Sequence, residues 1–193
     1  MRLRGARHGK SALKVDKSGH LAGARLVPSP NCDDRPPGAE IELLVIHNIS
    51  LPPNEFGGDG ILHLFTNSLD CSAHPFYETL RGVRVSAHFL IRRTGELIQF
   101  VPCSMRAWHA GASSWRGRAQ CNDFSIGIEL EGTDSEPYAE AQYQRLGTLA
   151  AALCRRYPIA DIVGHSDIAP ERKTDPGPAF DWVRFRLLLR QQS

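Results

Sequence analysis

Between residues 84 and 102 the chain reads RVSAHFLIRR, then Thr94-Gly95, then ELIQFVP. Two apolar runs separated by a turn dipeptide predict an antiparallel strand pair closed by a tight turn. An isolated pair of strands is barely stable in water, so more sheet or a helix must cover it. The rest of the chain supplies both. EIELLVIHN (40–48) reads as a buried strand ending at His47, and the alternation in DFSIGIELEG (123–132) predicts another. From Ala139 to Tyr157, Tyr143, Leu146, Leu149, Ala150, Leu153, Cys154 and Tyr157 fall on one face of an amphipathic helix. ILHLFTNSL, inside the turn-rich stretch 49–81, predicts a shorter helix, DIVGH a short strand and FDWVRFRLLLR a closing helix. A hairpin followed by alternating strands and helices predicts an α/β (α+β) fold, a central mixed β-sheet flanked by α-helices.

At 193 residues and 41% hydrophobic content the chain suits one domain with a substantial core. Its net charge of +2 is unevenly spread. Residues 1 to 20 carry six Lys or Arg against Asp16 alone, so the remainder is mildly acidic. That divides the chain into a basic, flexible leader (1–18) and a single domain (19–193), with the proline-rich 27–38 leading into the first strand. The leader has no aromatic residue and no apolar periodicity, which argues against nucleic-acid or membrane binding. No apolar run of roughly seven residues follows its basic start, and no segment approaches the ~20 apolar residues of a membrane span. Cys32, Cys71, Cys103, Cys121 and Cys154 are odd in number, scattered, and form no CxxC. Free thiols in a reducing, cytoplasmic setting fit them better than a disulfide framework. Nothing points to an obligate protein partner.

The stretch GHSDIAPERKTDPGPAFDW (164–182) has no period of two or 3.6, yet it gathers seven charged or imidazole side chains among three prolines. Its His165 and the earlier His47 each close an apolar strand and open a turn-rich loop, where active-site groups commonly sit. With Asp175 they could supply three of the four tetrahedral positions of Zn²⁺, leaving one for water. Zinc lowers the pKa of such a water towards ~7 and polarises a carbonyl. The spacing matches no helical HExxH signature, so residue types alone leave both a metal site and ordinary satisfied imidazoles open.

Five blocks taken together carry more information. VIHNISLPPNEFGG, VSAHFLIRRTGELIQFVP, RAWHAG, CNDFSIGIELEGTD and GHSDIAPERKTDPGPAFDW, in this order, resemble the AmpD-type 1,6-anhydro-N-acetylmuramyl-L-alanine amidases. These belong to the zinc amidase superfamily that includes peptidoglycan-recognition proteins and phage amidase lysozymes. The likeness runs from about Leu21 to Arg186. It implies the peptidoglycan-recognition-protein/amidase type 2 fold and one Zn²⁺ per chain held by His47, His165 and Asp175. It also implies Glu129 as acid/base and Lys173 as a catalytic cation. The substrates so implied are soluble 1,6-anhydromuropeptides met during cell-wall recycling.

The residue types suit that chemistry, because amide hydrolysis needs an activated water, a stabilised oxyanion and a proton for the departing nitrogen. Glu131 shares a strand face with Glu129 and is its natural confusion. Asn48, Arg84, Trp108 and His109 are candidate substrate contacts: Arg84 for a stem-peptide carboxylate, Trp108 and His109 for a sugar. His88, inside a strand, reads as core or as a support for a ligand. Gln120 stands where close relatives suggest an arginine, which weakens one carboxylate contact. Two other classes compete with a recycling enzyme: a muropeptide-binding module without catalysis, which characteristically lacks a zinc ligand, and a secreted amidase acting on intact wall.

Overall fold

The computed structural model describes residues 13–192. Residues 1–12, most of the expected leader, lie outside the described residues. Leu13 and Val15 already pack against the core, and Val15 bridges Leu21, so packed chain begins ahead of Gly19.

In chain order the elements are β1 (Arg25–Leu26), β2 (Cys32–Asp34), β3 (Leu43–Ile49), α1 (Gly60–Phe65), α2 (Pro75–Glu78), β4 (Phe89–Ile91) and β5 (Leu97–Gln99). Then follow β6 (Met105–Ala107), β7 (Ser114–Trp115), β8 (Arg118–Ala119), a 3₁₀ turn (Cys121–Asp123) and β9 (Ser125–Glu131). The chain closes with α3 (Glu140–Arg156), β10 (Asp161–Gly164), α4 (His165–Ile168) and α5 (Trp182–Arg190). Six strands form one sheet in the order β1-β5-β4-β9-β3-β10. Only the β4–β5 hairpin is antiparallel within it, so the sheet is mixed as expected. Gly95 turns that hairpin at φ +83°, a conformation glycine adopts without a Cβ clash.

The alternation of β3 and β9 sorts their side chains onto two faces. Leu44, Ile46, Ile126, Ile128 and Leu130 pack with Leu146, Leu149, Ala150 and Leu153 of α3 and with Phe185 of α5. Gln142 anchors that helix: its Oε1 accepts the N–H of Ala139 at the helix start, and its Nε2 donates to the Ile91 and Glu131 carbonyls. Gly147 admits Leu188, which would lie 3.3 Å from an added Cβ, so α5 lies close on α3. The opposite face buries Leu43 and Val45 against Ala110, Phe124, Val163 and Ile168. On β9 that second face carries Ser125, Gly127, Glu129 and Glu131, with no apolar side chain at all.

Three boundaries differ from the sequence reading. The strand expected over 123–132 starts at Ser125, because Cys121–Asp123 forms a 3₁₀ turn entered through Gln120 at φ 60°. The helix expected within 61–69 stops at Phe65, with Thr66 returning its hydroxyl to the Leu62 carbonyl. His47 is not the last residue of its strand; Asn48 and Ile49 continue the pairing with β9.

Candidate metal centre and active site

Leu43, Val45 and His47 share one face of β3, so the apolar row ends in an imidazole. Parallel pairing sets His47 opposite Glu129 on β9 and Ile46 opposite Gly164 on β10. The next residue after Gly164 is His165, the first residue of α4 rather than the end of a strand. Three neighbouring parallel strands therefore deliver His165, His47 and Glu129 to one level at their carboxyl ends, where open α/β sheets commonly place ligands.

The proline-rich loop brings the carboxylate back. The Ser166 N–H donates to the Asp175 carbonyl at 2.9 Å, closing the loop at its neck. The hydroxyl of Tyr138 holds the Pro176 carbonyl at 2.8 Å. Gly164 is required there, since a Cβ would meet Pro176 Cδ at 2.8 Å.

The Nδ1 atoms of His47 and His165 lie 2.9 Å apart, and each is 3.1 Å from Asp175 Oδ2. The potential ligand atoms all fall within 4.8 Å of one another. His165 Nε2 faces the Ala110 carbonyl at 3.2 Å, and a carbonyl can only accept. That places a proton on Nε2 and turns Nδ1 towards the centre. Burial pushes His47 down to about 4, so it is neutral at neutral pH. Burial opposes ionisation of Asp175, but His165 and His47 outweigh it and hold the carboxyl below the usual range. Two imidazole nitrogens and an anionic carboxylate converging at this separation form a donor set that fits a tetrahedral divalent cation.

Glu129 is 8% exposed, and its Oε2 has no hydrogen-bond partner among the described residues. Burial first, and the charge of Asp175 second, push its acid well above the ordinary value, while Lys173 pulls the other way. Lys173 also disfavours a proton on His47, so its half-buried ammonium is felt by both groups.

The other expected contacts separate. Asn48 Nδ2 donates to Asp134 Oδ1 at 2.7 Å, and the Asp134 carbonyl accepts the Ala179 N–H, linking β3 to the chain beyond Asp175. His109 is buried, with Nδ1 2.9 Å from His47 Nε2 and Nε2 3.1 Å from Ser125 Oγ, so its ring supports a ligand candidate and has both nitrogens engaged. Trp108 is half-buried, its indole N–H on Asp33 at 3.1 Å. Arg84 is exposed and lines a separate surface cavity with Leu64, Leu80 and Val83. Gln120 is exposed beside Cys121. His88 is buried, its Nδ1 accepting the Gly127 N–H at 3.1 Å.

Several participants were invisible in the sequence. Gly127 leaves the room His109 occupies, because a Cβ there would sit 2.4 Å from the imidazole Cγ. Arg35, inside the proline-rich approach, donates to the carbonyls of Cys103, Asn122, Asp123 and Ser125. Only the β-alternation of Ser125, Gly127 and Glu129 hinted at a polar face.

Glu131 has a structural task. Its carboxylate meets Arg92 Nη1 at 3.2 Å and accepts the N–H groups of Gly57 at 2.7 Å and Arg93 at 3.0 Å. Arg92 is 6% exposed and keeps Asp59 and Glu96 as other partners. Glu131→Ala should therefore lower folding stability by about 3 kcal/mol, the scale of a broken buried ion pair. Urea unfolding would measure this, and an unchanged midpoint would remove the assigned role.

A mixed sheet whose parallel strands carry a candidate His–His–Asp metal site beside a buried acid has the arrangement of a metal-assisted hydrolase. The family model for N-acetylmuramoyl-L-alanine amidase matches residues 37–178, and the chain belongs to that family. The 1,6-anhydro-N-acetylmuramyl-L-alanine amidase AmpD of Escherichia coli (strain K12) is 58% identical over 179 residues, spanning 92% of this chain and 98% of that one. A crystal structure of a selenomethionine derivative of AmpD matches with TM-score 0.87 at 60% identity, covering 89% of this chain and 97% of the other. E. coli AmiD in complex with the substrate anhydro-N-acetylmuramic acid-L-Ala-D-gamma-Glu-L-Lys matches with TM-score 0.58 at 32% identity, covering 92% and 65%.

Proposed function

We propose that this amidase hydrolyses the amide between 1,6-anhydro-N-acetylmuramic acid and L-alanine in soluble muropeptides, during cell-wall recycling in the cytoplasm. The observation that carries the reading is the convergence of two imidazoles and a carboxylate beside a buried acid with an unpartnered oxygen. The AmpD relatives supply the substrate class, at 58% identity over nearly their whole length. Five cysteines without a disulfide suit a reducing compartment.

His47, His165 and Asp175 would hold one Zn²⁺, which when bound polarises the scissile carbonyl and acidifies a water. Glu129 takes the proton of the attacking water and returns it to the amide nitrogen as the C–N bond breaks. Its acidity in the metal-free centre is weakened by burial and by Asp175; a cation beside Asp175 removes the second of these causes. Lys173 faces the oxygen that gains charge and stabilises it. Asn48 acts on loop position, while Arg84 and Trp108 are offered to the peptide carboxylate and the sugar.

Soluble anhydromuropeptide and intact cross-linked wall, offered separately, distinguish recycling from wall lysis. The soluble fragment should be turned over faster, releasing anhydro-N-acetylmuramic acid and a peptide that begins with L-alanine. Preference for intact wall would overturn the recycling role.

A further inference from the structure

We propose that Asn122 is a positioning residue for both imidazoles of the centre, acting through the dipeptide His109–Ala110. The inference rests on reading that centre as a metal site. The Asn122 Oδ1 atom accepts two consecutive backbone N–H groups, from His109 at 3.1 Å and from Ala110 at 2.8 Å. The same dipeptide carries the outer hydrogen bond of each histidine. The His109 ring meets His47 Nε2 at 2.9 Å, and the Ala110 carbonyl meets His165 Nε2 at 3.2 Å. One side-chain oxygen thus holds the segment that sets the orientation of two candidate ligands, one from β3 and one from α4.

The consequence is a choice of tautomer. An imidazole ligates through Nδ1 only if its proton sits on Nε2, and the outer partner decides where that proton sits. For His165 the Ala110 carbonyl forces the proton onto Nε2. For His47 the same tautomer is reached when Nε2–H donates to His109 Nδ1 and His109 Nε2–H donates to Ser125 Oγ, a hydroxyl able to accept it. A dipeptide free to rotate would lose both, and each ring would divide between a ligating and a non-ligating form. Two N–H bonds to one oxygen resist that rotation more than one would.

The clamp is itself anchored. The Asn122 carbonyl accepts Arg35 Nη1 at 3.0 Å, and Arg35 also donates to the carbonyls of Asp123 and Ser125. From the far side, Arg172 Nη2 donates to the Ala110 carbonyl at 2.8 Å and to that of Ala112 at 2.9 Å.

Zinc affinity of the metal-free full chain, measured by competition with a chromophoric chelator, tests the proposal. Asn122→Ala should weaken zinc binding about 10- to 100-fold, the usual cost of losing such a supporting partner. Asn122→Asp, which keeps an oxygen for both N–H groups, should stay within about threefold of the parent on that scale. The imidazole ¹⁵N shifts of metal-free Asn122→Ala should show Nδ1–H forms of His47 or His165 absent from the parent. Should Asn122→Ala fail to fold, His109→Phe keeps a ring in the space beside Gly127 but removes the acceptor, and it should lose zinc affinity about tenfold. Parental affinity in Asn122→Ala, or in His109→Phe where that variant is needed, overturns the positioning role. So would an equal loss in Asn122→Ala and Asn122→Asp. A parent chain that binds no zinc would instead overturn the metal reading on which the proposal stands.

Discussion

Glu129→Gln should hold zinc and fold as the parent does, yet turn over at a rate lower by about two to four orders of magnitude, the range of general acid–base catalysis. Glutamine keeps the size of the side chain within its buried site and removes the proton-accepting oxygen. Because Glu129 contributes no atom to the His47–His165–Asp175 cluster, metal content should not follow activity. Lys173→Ala belongs beside it, with a loss of about 10²–10³ in turnover if its ammonium stabilises the oxyanion. Steady-state kinetics with metal analysis on the same samples decides both. A Glu129→Gln enzyme with parental turnover would return Glu129 to the role of a buried strand residue.

The second large effect concerns the cluster itself. His47→Ala, His165→Ala and Asp175→Ala should each reduce activity to background and weaken zinc retention, because a three-ligand site reduced to two donors no longer holds the cation against water. Their signature differs from that of Glu129→Gln: zinc content and activity fall together. Full zinc content in all three variants, by inductively coupled plasma mass spectrometry after dialysis, would discard the ligand assignment.

Much of this architecture was legible in the chain. The turn at Thr94-Gly95, the 3.6-residue period of α3 and the alternation of β9 each reflect local chemistry, and local chemistry is what a sequence displays. His47, His165, Asp175, Glu129 and Lys173 were reached through block resemblance, since spacing left the imidazoles ambiguous. The supporting layer was hidden for a physical reason. His109 meets a ring 62 positions away, and Arg35 meets carbonyls 68 to 90 positions away, through hydrogen bonds that leave no periodic trace. His109 was expected as a sugar contact, and its ring is packed against His47. Glu131 looked interchangeable with Glu129 because both alternate on one face; its contacts with Arg92 and with the N–H groups of Gly57 and Arg93 separate an anchored carboxylate from an acid with an unpartnered oxygen.

Hydrolysis of a defined anhydromuropeptide in H₂¹⁸O, read by mass spectrometry with and without chelator, probes the proposed chemistry most directly. Attack at the lactyl carbonyl places one ¹⁸O in the new carboxylate of anhydro-N-acetylmuramic acid. The peptide leaves with an unlabelled, free L-alanine amine. Chelator should stop the reaction, and added Zn²⁺ should restore it. Label in the peptide, cleavage at another bond, or turnover indifferent to thorough metal removal would contradict a metal-assisted amidase built on His47, His165, Asp175 and Glu129.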